Sequence, residues 1–265
     1  MRVAPFVAGL WASGILYGAT ALAQEPSTPT STPASSPAET HGMSYREMAR
    51  MMEMDDAAAL GKLVADQFEW RWGDGADGPA WDVQGWYGSD YNKLWFKTEG
   101  VRVGSVTEDG RAELLWDRVF ARWWSVQGGV RHDLGDGPSR NWLAVGFQGL
   151  APYFFQIEAT AYVGDSGRTA ARFRAEYELL FTQRVVLQPE FELNAYGKDD
   201  PERHIGAGFS DLQLGLRLRY EIRRECAPYF GLAWLHTLGK TADLVRAAGA
   251  EPSVLQLVAG IRFWL

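Results

Sequence analysis

The sequence predicts an all-β fold: a transmembrane up-and-down antiparallel β-barrel of about twelve strands, preceded by a disordered and partly helical N-terminal extension. Three observations carry this. From Gln67 onward, apolar and polar residues alternate with a period of two. The segments so marked are joined by connections that alternate between long, glycine-rich, acidic stretches and short turns. The aromatic residues, 12 Trp, 10 Tyr and 13 Phe, crowd the short-turn ends, as in Trp123-Trp124, Tyr153-Phe154-Phe155, Phe181 and Tyr229-Phe230, where an interfacial girdle belongs.

The chain opens MRVAPFVAGLWASGILYGATALAQ, with Arg2, an apolar run from Val3 to Tyr17 and the small-x-small site Ala21-Leu22-Ala23. These features mark residues 1–23 as a secretory signal peptide, outside the folded protein. Residues 24–40, QEPSTPTSTPASSPAET, hold little that could be buried and read as a disordered tether. Residues 41–66 begin with a Met-rich segment and run into DAAALGKLVAD, good helix formers without Pro. A short helix is expected there, with Met48, Met51 and Met52 on one face. Residues 67–265 are the barrel. After the leader no run approaches the roughly 18 consecutive apolar residues of a membrane helix, so the membrane reading rests on strands.

The period is clearest in ARFRAEYEL (171–179), where Phe173, Ala175, Tyr177 and Leu179 share one face and Arg172, Arg174, Glu176 and Glu178 the other. LQPEFELNAY (187–196) and QLGLRLRYEI (213–222) repeat it. Division at Gly, Pro, Asn and Asp clusters places strand cores near 67–72, 80–88, 92–103, 111–119, 123–132, 140–149, 153–163, 168–180, 184–196, 210–222, 229–238 and 255–265. Odd connections span 73–79, 104–110, 133–140, 164–169, 197–208 and 239–253, whereas the even ones are short. An outer-membrane barrel sorts its connections this way, with short periplasmic turns, longer external loops and both termini in the periplasm. A two-sheet sandwich has no reason to.

With apolar faces toward lipid, the charged faces turn inward, since a charge toward lipid costs roughly 2–4 kcal/mol at the midplane. The lumen is therefore expected to hold Glu69, Asp82, Glu99, Glu158, Glu176, Glu178, Glu190 and Glu192 beside Arg71, Lys97, Arg172, Arg174, Arg217 and Arg219. These form either a cation pathway or a salt-bridge network that fills the barrel. The long connections carry twelve acids against six Lys or Arg, the short turns two against three. Asp74, Asp77, Asp165, Asp199, Asp200 and His204 thus stand as candidates for an external mouth that gathers cations. A net charge of −7 argues against a nucleic-acid partner, which requires a basic face.

The segment HGMSYREMARMMEMDD (41–56) holds five of the six methionines. Thioether sulfur is a soft ligand that favours Cu(I), and imidazole accepts either copper state, so His41, Met43, Met48, Met51, Met52 and Met54 form a candidate copper site. Thioethers also suit an oxidising compartment that would consume lone thiolates. The alternative is a packing face, since Met commonly fills gaps in cores. Set between a disordered tether and a barrel, however, the segment has no core of its own to fill. Cys226 is the sole cysteine, which excludes an intramolecular disulfide.

Several uninterrupted stretches resemble the copper resistance protein B family of Gram-negative outer membranes. They are WDVQGWYGSDYNKLWFKTEG (81–100), the run 148–225 with AYVGDSGRTA and NAYGKDDPE within it, and the closing VAGIRFWL (258–265). The resemblance extends over the barrel from Trp70 onward. It implies an outer-membrane barrel in a copper-resistance system, alongside a periplasmic multicopper oxidase and small copper carriers. HGM with MARMMEM looks like a short form of the family's Met- and His-rich extension, with fewer His and no repeated Met-His pairs.

The expected function is copper resistance at the cell outer membrane: binding copper ions, as Cu(I) or Cu(II), and conducting them through the barrel, with the N-terminal extension in the periplasm. The alternative is a copper-sequestering arm anchored by a non-conducting barrel. The expected partners are copper ions, outer-membrane lipid and a periplasmic oxidase or carrier. Enzymatic hydrolysis is not expected, because His41, His132, His204 and His236 are the only histidines and none sits in a nucleophile motif.

Overall fold

The computed structural model describes residues 59–265 apart from 74–76, 105 and 136. Within them twelve strands follow one another: β1 Leu60–Gly73, β2 Gly78–Gly88, β3 Asn92–Val103, β4 Val106–Ala121, β5 Trp124–Gly135, β6 Arg140–Leu150, β7 Gln156–Gly164, β8 Arg168–Glu176, β9 Val185–Tyr196, β10 Gly208–Tyr220, β11 Cys226–Thr237 and β12 Ser253–Trp264. After a two-residue break, Leu179–Leu180 continues β8 along β9. A helix, α1 Gly239–Ala247, lies in the β11–β12 connection. Each strand pairs antiparallel with its neighbours in sequence, and β1 pairs with β12, so the sheet closes on itself. Closure satisfies every edge, which is what lets a sheet stand in hydrocarbon.

The alternation of the sequence becomes an inside and an outside. Leu143, Val145, Phe230 and Leu257 are exposed on the outer face, while Gln67, Glu69, Arg172, Glu190, Glu192, Arg217 and Arg219 are buried within. Such an inverted distribution, apolar outward and charged inward, fits a barrel whose solvent is lipid. A small apolar island, Leu115, Trp142, Ala144, Tyr162 and Ala170, is also buried, with Trp95 and Tyr196 packed against it.

The structure departs from the sequence reading in four places. The helix expected across 41–66 does not include Leu60 to Asp66, which belong to β1. Closure is the reason: Val64 and Ala65 pair with Trp264 and Phe263, and Leu63 exchanges backbone hydrogen bonds with Leu265 at 3.0 and 2.9 Å. A strand that began at Gln67 would leave the end of β12 paired on one side only, with β11. A register shift at Ala65 to Gln67 accommodates the extra length.

The connection expected at 104–110 shrinks to residues 104–105, because Val106–Gly110 extend β4 and its ladder. That at 164–169 becomes a tight turn over Asp165–Gly167, with Ser166 and Gly167 left-handed at φ 60° and 67°. Length asymmetry is carried by the connections after β9 and β11 rather than by all six. Finally, Tyr153 and Phe154, expected to open a strand, belong to the 3-10 turn Pro152–Phe154 and take φ of 65° and 67°.

With an even number of strands, the start of β1 and the end of β12 share one end of the barrel, here called the terminal end; the opposite end is the far end. Val145 is 64% exposed in the middle of β6. Val145→Arg is expected to destabilise the barrel in lipid by about 2–4 kcal/mol, measured by reversible urea unfolding from vesicles. A cost near zero would mean that this face does not meet hydrocarbon.

Candidate ion pathway in the barrel lumen

The inward positions of β1, β2, β3, β7, β8 and β9 supply the acids expected in the lumen, and each meets a cation. Arg217 on β10 donates from Nε to Glu69 Oε2 (2.9 Å), from Nη2 to Glu69 Oε1 (3.0 Å) and from Nη1 to Glu190 Oε2 (2.5 Å). Glu69 also accepts from Arg71 Nε and the Tyr229 hydroxyl, both at 2.9 Å. Gly215 makes this possible, since a Cβ there would stand 2.6 Å from Arg217 Nη1.

Arg174 on β8 reaches Asp82 (2.7 Å), Glu176 (2.7 Å) and Glu190 (2.8 Å). Arg172 holds Glu99 and Glu192, each at 2.7 Å, and Arg111 pairs with the same two acids. Lys97 holds Glu158 at 2.8 Å, and Arg219 holds Glu178 at 2.9 Å.

These pairs stand between two polar cavities. One, about 300 Å³, opens toward the far end past Arg203, His204 and Thr241; the other, about 530 Å³, opens toward the terminal end past Lys62, Arg122 and Arg262. Asp82, Glu99, Arg172 and Arg174 line both, and so form the layer that separates them.

Among the described residues two buried acids lack a guanidinium or ammonium partner: Glu113, which accepts from the Tyr162 hydroxyl at 2.9 Å, and Asp117. Buried on the wall of the terminal-end cavity, Asp117 accepts from Ser125 Oγ (2.7 Å), Gln127 Nε2 (3.1 Å) and Gln148 Nε2 (3.1 Å), all neutral donors. The sequence reading passed over it, although the inward alternation of β5, with Ser125 and Gln127 among apolar residues, carried the signal.

The candidates for an acidic external mouth are spread rather than gathered. Asp74 lies outside the described residues, as do His41, Met43, Met48, Met51, Met52 and Met54. Asp77 is exposed and caps the Gly73 amide at 3.1 Å, and Asp165 is exposed on the β7–β8 turn. Asp199, Asp200 and His204 share the loop between β9 and β10, and this loop is fastened down. Asp200 is buried and accepts from Arg140 Nε (3.0 Å) and Nη2 (3.2 Å), with Arg168 at 3.4 Å. Arg203 donates to the Pro138 carbonyl at 3.1 Å, and the Gly206 amide donates to Thr241 of α1 at 3.0 Å.

Hydrogen bonds from Arg140 hold the Asp200 carboxyl below the usual aspartate range. The Ala207 amide, at 2.6 Å, and then Lys240 do the same for Asp199. Arg140, invisible as a partner from sequence because it lies 60 residues away, turns a presumed cation collector into a strap across the far mouth. Among the described residues, no cluster of three or more His, Cys, Asp or Glu is arranged to hold a metal ion.

Residues 59–265 match the family model described as copper resistance protein B precursor (CopB). The chain belongs to this family. It is 43% identical over 209 residues to Copper resistance protein B of Escherichia coli, covering 79% of this chain and 71% of that relative. It is 42% identical over 212 residues to a Copper resistance protein B homolog of Pseudomonas syringae pv. tomato, covering 80% and 72%.

Among solved structures it is similar to the NanC porin (12% identity, TM-score 0.49, 77% of this chain and 99% of that one) and to the KdgM porin (10%, 0.44, 76% and 98%). Two family-like stretches have visible structural tasks: AYVGDSGRTA is the β7–β8 hairpin, and NAYGKDDPE runs from β9 into the strap that Arg140 grips.

Two outcomes follow from this geometry. Glu69→Ala removes one of the two carboxylates that hold the buried Arg217 and is expected to cost about 3–5 kcal/mol in unfolding from vesicles; a loss below 1 kcal/mol would show that the pair is dispensable. Because the folded value of Asp200 is depressed, its grip is complete above the ordinary aspartate value of about 3.9 and is lost as pH falls through the lower folded value. Amide exchange over residues 197–207 should therefore be equally protected at pH 7 and pH 5, and Asp200→Asn should lose that protection at pH 7. Unaltered exchange in this variant would remove the strap.

Proposed function

We propose that the protein confers copper resistance from the outer membrane, binding copper and passing it along the barrel lumen, with the far end outside the cell and the terminal end in the periplasm. The observation that supports this most is the pair of polar cavities that enter from opposite ends and stop at one shared layer, Asp82, Glu99, Arg172 and Arg174. A barrel that served as an anchor alone would gain from a filled interior; this one keeps water-sized polar space on both sides of a thin barrier. Family membership supplies the cargo. Copper, as Cu(I) or Cu(II), is cargo here rather than a resident cofactor. On this reading residues 1–23 direct export, the soft donors His41, Met43, Met48, Met51, Met52 and Met54 bind the metal, and a periplasmic copper carrier or multicopper oxidase exchanges it.

One observation favours a second reading. Each lumen acid singled out from the sequence is engaged by Arg or Lys, and the soft donors precede the barrel in the chain. The barrel would then anchor a copper-holding segment and conduct nothing.

Reconstitution separates the two. Full-length protein in vesicles is expected to admit copper to an internal chelating dye, and Met→Ala replacement at 43, 48, 51, 52 and 54 is expected to reduce bound copper and slow entry. Copper binding by the full chain with no entry into vesicles would sink the transport reading and leave the sequestering one.

A further inference from the structure

Two arginines of β8 border both cavities, and they are not equivalent. Arg172 shares Glu99 and Glu192 with Arg111, so both acids keep a cation if Arg172 moves. Arg174 shares Glu190 with Arg217, but it is the only cation paired with Asp82 and Glu176 among the described residues. Its three acids come from β2, β8 and β9, so a single guanidinium joins separate parts of the wall across the passage. Cavities of about 300 and 530 Å³ on either side give the side chain somewhere to go.

We propose that Arg174 sets both the closure and the charge selectivity of the lumen. It is a tethered counter-ion, held across the passage by Asp82, Glu176 and Glu190. Its withdrawal opens a path and, by leaving Asp82 and Glu176 unbalanced, makes that path favour cations. Arg172 cannot substitute for it, because the acids that Arg172 holds each keep Arg111 as a partner. The inference deepens the transport reading and takes its biological meaning from it, but selectivity is a property of the barrel in simple salt and needs no copper.

Planar-bilayer recording of the full-length protein across a KCl gradient tests it. The wild type is expected to conduct weakly. Arg174→Gln should raise conductance several-fold and move the reversal potential toward that of potassium; Arg174→Lys should restore closure, and Arg172→Gln should change selectivity less. The opposite change, Asp82→Asn with Glu176→Gln, leaves Arg174 in excess and should move the reversal potential toward chloride.

Wild-type conductance and selectivity in Arg174→Gln, or shifts of the same sign in the two opposite variants, would overturn the proposal. If Arg174→Gln does not fold, judged by loss of heat-modifiable migration on gels, the double variant decides alone: a chloride shift supports the proposal and no shift defeats it. Opposite shifts in KCl with no copper entry by the wild type would uphold the role of Arg174 while removing the transport reading.

Discussion

Pairing of guanidinium with carboxylate inside the barrel is the interaction on which the rest of the structure depends. A sheet that turns apolar residues to lipid has only its interior for charge, and many of the charges there are shielded from water. Glu69, Glu190, Glu192, Arg172, Arg217 and Arg219 are all buried. An unpaired charge in that setting costs several kcal/mol, so the acids and bases must meet, and they meet across long sequence separations: Arg217 of β10 lies 148 residues from Glu69 of β1. The pairs therefore tie together wall segments that no turn connects. Even the glycine at 215 answers to them, by vacating the volume that the Arg217 to Glu190 contact occupies.

The same pairs give the lumen its functional character. Carboxylates held by arginine are not open ligands, so a cation that enters must compete with fixed positive charge at the layer between the cavities. The methionine thioethers proposed as soft copper donors thus stand apart in the sequence from the oxygen donors inside the barrel. The far mouth is bordered by the β9–β10 loop, which is fastened to Arg140, Pro138 and α1.

Most of the fold was legible because a strand with one apolar and one charged face writes its period into the sequence. ARFRAEYEL shows this best: its charged positions are the ones that turn inward and form the barrier. What the sequence concealed were the consequences of closure and of distance. Nothing in LGKLVAD announces a strand; it is one because the end of β12 needs a second partner. GSVTEDG reads as a loop by composition, yet its later residues extend a ladder. The lumen acids were found, but their partners were not assigned, since alternation gives the face of a residue and not its neighbour across the barrel. Asp200 read as a free loop acid because the arginine that grips it sits 60 residues earlier.

The ladder between β1 and β12 has a consequence for how the molecule comes to exist. β1 finds one neighbour at once in β2, but its other neighbour is the last strand of the chain. Until Ser253–Trp264 has been delivered, β1 carries a row of unanswered amides and carbonyls that no local fold can answer. The barrel thus closes by joining the first and last of its strands, the pair most distant in sequence. A truncation that removed the whole of β12 would leave an open sheet rather than a smaller barrel, with an exposed edge suited to pairing with another chain.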